Sequence, residues 1–180
     1  MDTTAERLRV LNSRRLTLVA ASRALVLADL AGLDTLSNAL DSVVPDNWPP
    51  ELYDRPAMEY SLGQMQDSAI QGWSFWYLVL SESREVAGLC GFKGRPDESG
   101  SVEIGYSILE QFRSAGLATE AAMRLIGWAF THSGVREVSA ETLPHLRSSI
   151  RVLEKNGMKL TGQGSEQGVI RYAVARPDGS

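Results

Sequence analysis

Hydrophobic spacing divides the chain into a helical early part, a strand-rich middle and a closing alternation of strands and helices. Residues 14–20 (RRLTLVA) alternate enough to be a first strand. Leu25, Leu27, Leu30, Leu33, Leu36 and Leu40 recur at roughly helical spacing, which predicts one or two helices over 22–44. Pro45, Pro49 and Pro50 forbid helix continuation and mark a loop around Trp48. Residues 54–68 predict another helix, with Met58, Leu62 and Met65 on one side. Residues 73–80 are apolar or aromatic at both parities, so they predict a strand covered on both faces. Strands over 86–93 and 101–108 complete a meander, with turns at 81–85 and 94–100.

The strongest helical stripe is Leu117, Ala118, Ala121, Ala122, Leu125, Ile126, Ala129 and Phe130, and Gly134 follows as a stop signal. A strand over 135–143, a helix over 147–156 ended by Asn156-Gly157, and strands near 158–162 and 168–175 close the chain. The strand–helix–strand passage across 101–143 implies one parallel pair inside an otherwise antiparallel sheet. The expected class is α/β of the α+β type.

The length of 180 residues suits one domain spanning 1–180. A net charge of −4 without a basic block argues against sequence-independent nucleic-acid binding. It leaves room for an anionic small ligand held by backbone amides. No run approaches a membrane span, and the polar N-terminus lacks a signal segment, so no membrane partner and a cytoplasmic location are expected. Cys90 sits in an apolar run and is read as a buried small hydrophobe. With His132 and His145 as the only histidines, no metal site is expected. Arg7, Arg9, Arg14 and Arg15 read as a solvated basic face.

The candidate chemistry lies where the third meander strand meets the long helix, at Gln111-Phe112-Arg113-Ser114-Ala115-Gly116-Leu117-Ala118-Thr119-Glu120. A helix start leaves N–H groups unpaired and carries about half a positive charge. Small residues before it let an anion approach. On spacing alone, a phosphate cradle and a self-capping turn are equally good readings. No Gly-Lys-Ser/Thr follows and three spaced glycines are missing, so neither a nucleotide P-loop nor a dinucleotide fingerprint is present.

This segment resembles the acetyl-CoA motif of the GNAT superfamily, Gln/Arg-x-x-Gly-x-Gly/Ala, with Ser114 where the first glycine is usual. Leu117-Ala118-Thr119-Glu120-Ala121, Glu103-Ile104-Gly105-Tyr106 and the run from Ser149 to Met158 resemble its ribosomal-protein N-terminal acetyltransferase branch. The matches run in family order over about residues 73–160.

The resemblance implies a mixed, mostly antiparallel sheet of about seven strands with helices on both faces, splayed after the third meander strand. It implies acetyl-CoA as co-substrate, an amine acceptor and, from the family's habit, a homodimer. The amides of Gln111, Phe112, Arg113, Ser114, Ala115, Gly116, Leu117, Ala118 and Thr119 would hold the pyrophosphate. The backbone of Ile108 and Leu109 would pair with the pantetheine arm. Glu103 is the candidate base, with Glu141 and His145 as competitors. Ser149 is the candidate partner of the departing thiolate, or else a helix cap, and Tyr106 is an acid or a core tyrosine. Trp48, Tyr53, Tyr60 and Trp76 either shape an acceptor pocket or belong to the core. Leu146 stands where the branch usually has Asn. The expected activity is N-acetylation of a small-molecule amine or peptide N-terminus by direct attack. A non-catalytic acyl-CoA-binding module of the same fold is the alternative.

Overall fold

The computed structural model describes residues 8–177. Two short strands come first, β1 (Val10–Asn12) and β2 (Leu16–Ala20). The leucine-rich stretch forms two helices, α1 (Arg23–Ala31) and α2 (Leu33–Leu40). The Ser22 side chain caps α1 by accepting from Leu25 N at 3.3 Å. Gly32, at φ 136°, breaks the run. Helix α3 (Arg55–Gln64) starts at Asp54, whose carboxylate accepts from Ala57 N. It stops short of residue 68, where Asp67 instead caps a separate 3-10 turn, Ser68–Ile70.

The meander consists of β3 (Phe75–Leu80), β4 (Val86–Phe92) and β5 (Ser101–Ile108). A 3-10 turn, Glu110–Phe112, leads into α4 (Leu117–Phe130). Then come β6 (Glu137–Thr142), α5 (Arg147–Lys155), β7 (Lys159–Gln163) and β8 (Ile170–Ala175). Gly134 does not cap α4: the helix ends at Thr131, whose hydroxyl donates to the Trp128 carbonyl at 2.6 Å.

Among the described residues the sheet has eight strands in the order β1-β2-β3-β4-β5-β6-β8-β7, one more than the pattern predicts. The extra strand is β1, three residues long with Val10 43% exposed, too short and open to carry an alternating signal. Every pairing is antiparallel except β5 with β6.

The two sheet faces bury separate clusters. Trp76, Ile104, Leu125, Val138 and Leu153 pack on the α4–α5 side. Val26, Leu36, Met58, Tyr77 and Leu109 pack on the α1–α3 side. Among the described residues, no helix is long and apolar enough to cross a membrane.

One interruption in the sheet positions the site. The parallel pairing of β5 with β6 spans only Ser101–Glu103 against Glu137–Ser139. Arg171 closes that paired end, donating to Ser101 Oγ at 3.2 Å and to Glu137 at 3.4 Å. Beyond it, among the described residues, the C-terminal half of β5 has no strand on its β6 side, so backbone polar groups face an opening.

Candidate active site

Backbone parity decides which groups face the opening. Lys93 N donates to Glu103 O, and Leu109 N donates to Ala87 O at 2.9 Å, so Glu103, Gly105, Ser107 and Leu109 spend their backbone groups on β4. The intervening residues, Tyr106 and Ile108, therefore direct theirs into the split. Ile108 directs its backbone groups into the split. Leu109 does not, because its carbonyl also accepts from Phe112 N at 2.9 Å. Arg113 Nε occupies the Ile108 carbonyl at 3.0 Å, leaving the Ile108 N–H and both groups of Tyr106 toward the opening.

The turn into α4 lies at the mouth of this split. Phe112 and Arg113 differ from the expectation, since their amides close the 3-10 turn onto Leu109 O and Glu110 O. The amides of Ser114, Ala115, Gly116, Leu117, Ala118 and Thr119 donate to no other group among the described residues. Glu120 N is the first to be used, on Gly116 O at 3.1 Å. Ser114 and Gly116 are both left-handed, at φ 62° and 80°, and residues 113–116 are exposed. Alternating backbone of this kind makes a concave cluster of N–H groups suited to an anion. The self-capping alternative is not what forms, because Gly116 supplies no side chain and Ser114 caps nothing.

Gln111 also has a side-chain contact, separate from the backbone N–H assigned to the cradle. Its side-chain amide exchanges two hydrogen bonds with Asn47, at 2.9 and 3.0 Å, tying the Pro-rich loop to the turn. Arg113 adds an ion pair with Glu51 at 3.3 Å. Trp48 of the same loop donates to Asp29 at 2.9 Å, and Tyr77 donates to the other Asp29 oxygen at 2.9 Å. Burial pushes the Asp29 carboxyl above its ordinary value, against the opposing pull of those two bonds. The sequence offered no signal for this cluster, whose members lie on α1, the loop and β3.

On the α4–α5 face, the Tyr106 hydroxyl lies 3.0 Å from Ser149 Oγ and 3.2 Å from the Ser149 carbonyl. Burial pushes the Tyr106 hydroxyl up to about 12, with the Ser149 bond pulling the other way, so it holds its proton at neutral pH. Ser149 is not a cap: α5 starts two residues earlier, after Leu146, which makes no side-chain cap bond.

Glu103 lies on the opposite face, ion-paired with Lys93. Glu141 accepts from Ser165 Oγ at 2.7 Å and from Ser165 N at 2.8 Å, and these bonds hold its carboxyl below the usual range. That makes it a poor base. His145 is exposed beside the start of α5.

Trp48 and Tyr53 are core residues of the α1–α3 side, Trp76 belongs to the other face, and Tyr60 is 71% exposed. Cys90 is buried, and burial pushes its thiol up. Arg9 stacks over the Trp128 ring at 5.8 Å, while Arg7 lies outside the described residues.

The model of the acetyltransferase (GNAT) domain family matches residues 15–159. The chain belongs to this family. Among curated GNAT relatives, it is 32% identical over 102 residues to the uncharacterized N-acetyltransferase YjdG of Bacillus subtilis, covering 57% of this chain and 61% of that protein. It is 32% identical over 85 residues to the uncharacterized N-acetyltransferase p20 of Bacillus licheniformis, covering 47% and 48%. The matched regions thus span about half to three-fifths of those relatives.

Among solved structures, the GNAT fold superposes on RimL, a ribosomal L7/L12 alpha-N-protein acetyltransferase in complex with coenzyme A. The TM-score is 0.65 at 19% identity, over 93% of this chain and 98% of that one. The microcin C7 self-immunity acetyltransferase MccE, in complex with acetyl-CoA and AMP, gives 0.63 at 17% identity over 91% and 93%. At these identities the likeness concerns the fold: a mixed, mostly antiparallel sheet with helices on both faces.

Proposed function

We propose that this GNAT protein transfers the acetyl group of acetyl-CoA to a primary amine, on a small molecule or a peptide N-terminus, by direct attack. The observation that carries this reading is the run of unpaired amides from Ser114 to Thr119 at the mouth of the β5–β6 split. The residues fit the group: the exposed turn of small side chains would receive the diphosphate, and the Ile108 N–H with both backbone groups of Tyr106 would meet the pantetheine arm. When bound, acetyl-CoA supplies the activated acyl group.

The chain's own residues then have three tasks. The Ile108 N–H is a preorganised donor toward developing oxyanion charge. The Tyr106–Ser149 pair keeps a proton in reserve for the leaving sulfur, because Tyr106 stays protonated far above neutral pH. Glu103 takes the amine's proton, with Lys93 as the group that must yield or relay.

A second reading has its own support. Glu103 and Glu141 are both engaged, which favours a non-catalytic acyl-CoA-binding module. Titration calorimetry with acetyl-CoA, together with CoA-thiol release over a panel of amines and short peptides, separates the two. Amine-dependent release supports transfer. Binding without release on any acceptor favours the module, and no binding sinks both. Gly116→Glu should abolish acetyl-CoA binding, since it places a carboxylate among the cradle amides, while the left-handed φ of 80° costs a side chain about 1–2 kcal/mol and lowers Tm by only roughly 2–8 °C; retained binding would show that the cradle is elsewhere.

A further inference from the structure

Arg15 precedes β2, yet its contacts converge on the start of α4. Its Nη1 donates to the Ala115 carbonyl at 2.8 Å across 100 residues of sequence. Its Nε donates to Glu120 Oε2 at 2.7 Å, and its backbone N to Glu120 Oε1 at 2.6 Å. Ser13 Oγ reinforces the same carboxylate at 2.8 Å. Arg15 Nη2 lies 3.4 Å from where a β-carbon on Gly116 would sit. The basic cluster is thus not wholly a solvated face.

Two physical consequences follow. A trans peptide points its carbonyl and its N–H in opposite directions. Holding Ala115 O on Arg15 therefore aims the Gly116 N–H away from the guanidinium, toward the open side of the turn. That peptide joins Ala115 to the left-handed Gly116, and glycine offers little resistance to a flip. A flipped peptide would present a carbonyl to the anion and hide a donor. Second, Glu120 places a negative charge in the first turn of the helix meant to receive phosphate. Burial pushes its carboxyl up, but the bonds from Arg15 and Ser13 outweigh that and hold it ionised and paired.

We propose that Arg15 is the positioning residue of the diphosphate cradle, locking the Ala115–Gly116 peptide with its N–H toward the ligand while neutralising Glu120. The inference rests on the acetyl-CoA reading above. It assigns recognition of the diphosphate to a residue outside the motif that binds it.

The test compares wild type, Arg15→Ala, Arg15→Lys and the double variant Arg15→Ala/Glu120→Gln by titration calorimetry with acetyl-CoA, each checked by thermal melting. Binding of S-acetylpantetheine, which lacks the diphosphate, is read in parallel by saturation-transfer NMR. Arg15→Ala should weaken acetyl-CoA roughly 10- to 100-fold, the range for one charge-assisted hydrogen bond. S-acetylpantetheine should change less than about 2-fold, since none of its groups meets the cradle. The double variant should stay weak, because removing the carboxylate does not restore the peptide's orientation.

Where Arg15→Ala fails to fold, Arg15→Lys decides. It keeps the charge near Glu120 but cannot also hold Ala115 O, so affinity should still drop several-fold. Wild-type affinity in a folded single variant overturns the proposal. So does full rescue in the double variant, or equal loss of both ligands. Failure of the wild type itself to bind acetyl-CoA overturns the functional reading instead.

Discussion

Replacing Asp29 with Ala tests whether the Pro-rich loop is held to the fold by one buried carboxylate. Asp29 is 8% exposed and accepts from Trp48 Nε1 and Tyr77 Oη, both at 2.9 Å. The truncation leaves two buried donors unpaired, at ~1–3 kcal/mol each. It also relieves the cost of burying the carboxylate, so the expected net loss is about 2–4 kcal/mol. For a chain of this size each kcal/mol moves Tm by roughly 2–4 °C, giving a fall of about 4–16 °C by calorimetry. Because Trp48 is adjacent to Asn47, which holds Gln111, acetyl-CoA affinity should fall several-fold as well. A Tm within about 2 °C of wild type would refute the reasoning.

The isosteric change Asp29→Asn adds a pH test with a definite sign. Burial raises the native pKa of Asp29 above 3.8. Ionising it therefore costs more in the folded than in the unfolded chain. Wild-type stability relative to Asp29→Asn should fall as pH climbs from 3.8 through the raised native value, and level off above it. Urea unfolding across that window measures the difference. A gap that widens in favour of wild type as pH rises would contradict burial as the dominant cause.

Ser114→Gly should stabilise the protein by about 0.5–1 kcal/mol, because φ 62° strains a side-chain-bearing residue more than glycine's extra unfolded freedom costs; denaturant melts measure this. Tyr106→Phe should lower amine-dependent turnover by about 10²-fold with acetyl-CoA affinity retained, and Ser149→Ala in the same background should add little, which single-turnover kinetics will show. Gly105→Val probes the open strand face. Gly105 is exposed, and a β-carbon there would meet nothing within 4 Å, so the fold does not require glycine. Valine should hold or raise Tm while cutting amine-dependent turnover about 10-fold or more by crowding the sheet face that position 105 shares with Glu103, again with acetyl-CoA affinity unchanged.

What was legible in the sequence was local. Alternation and helical spacing place β3 to β8 and α4 within a few residues, because each pattern spans a single element. The run of free amides before α4 was legible for the same reason: small residues before a helix leave amides unpaired whatever lies elsewhere. What stayed hidden is what a second element decides. Leu109 reads as a cofactor contact by position, but strand parity turns its amide to Ala87. The Gln111 side chain carries no local signal of its partner, and only the fold brings Asn47, in the Pro-rich loop, to it. Ser149 reads equally as a cap, and only the fold brings Tyr106 to it. Glu103 reads as the base with Glu141 as its competitor, and only the fold shows Lys93 beside one and Ser165 beside the other. A backbone site is written into a local segment, whereas a side chain's role is written into whichever distant residue it meets. A chain can therefore display its cofactor motif plainly while its base and acceptor pocket stay hidden in long-range pairs. Arg15 is that principle at work inside the motif itself: the amides belong to the turn, but the direction of Gly116 N–H is set from the edge of β2.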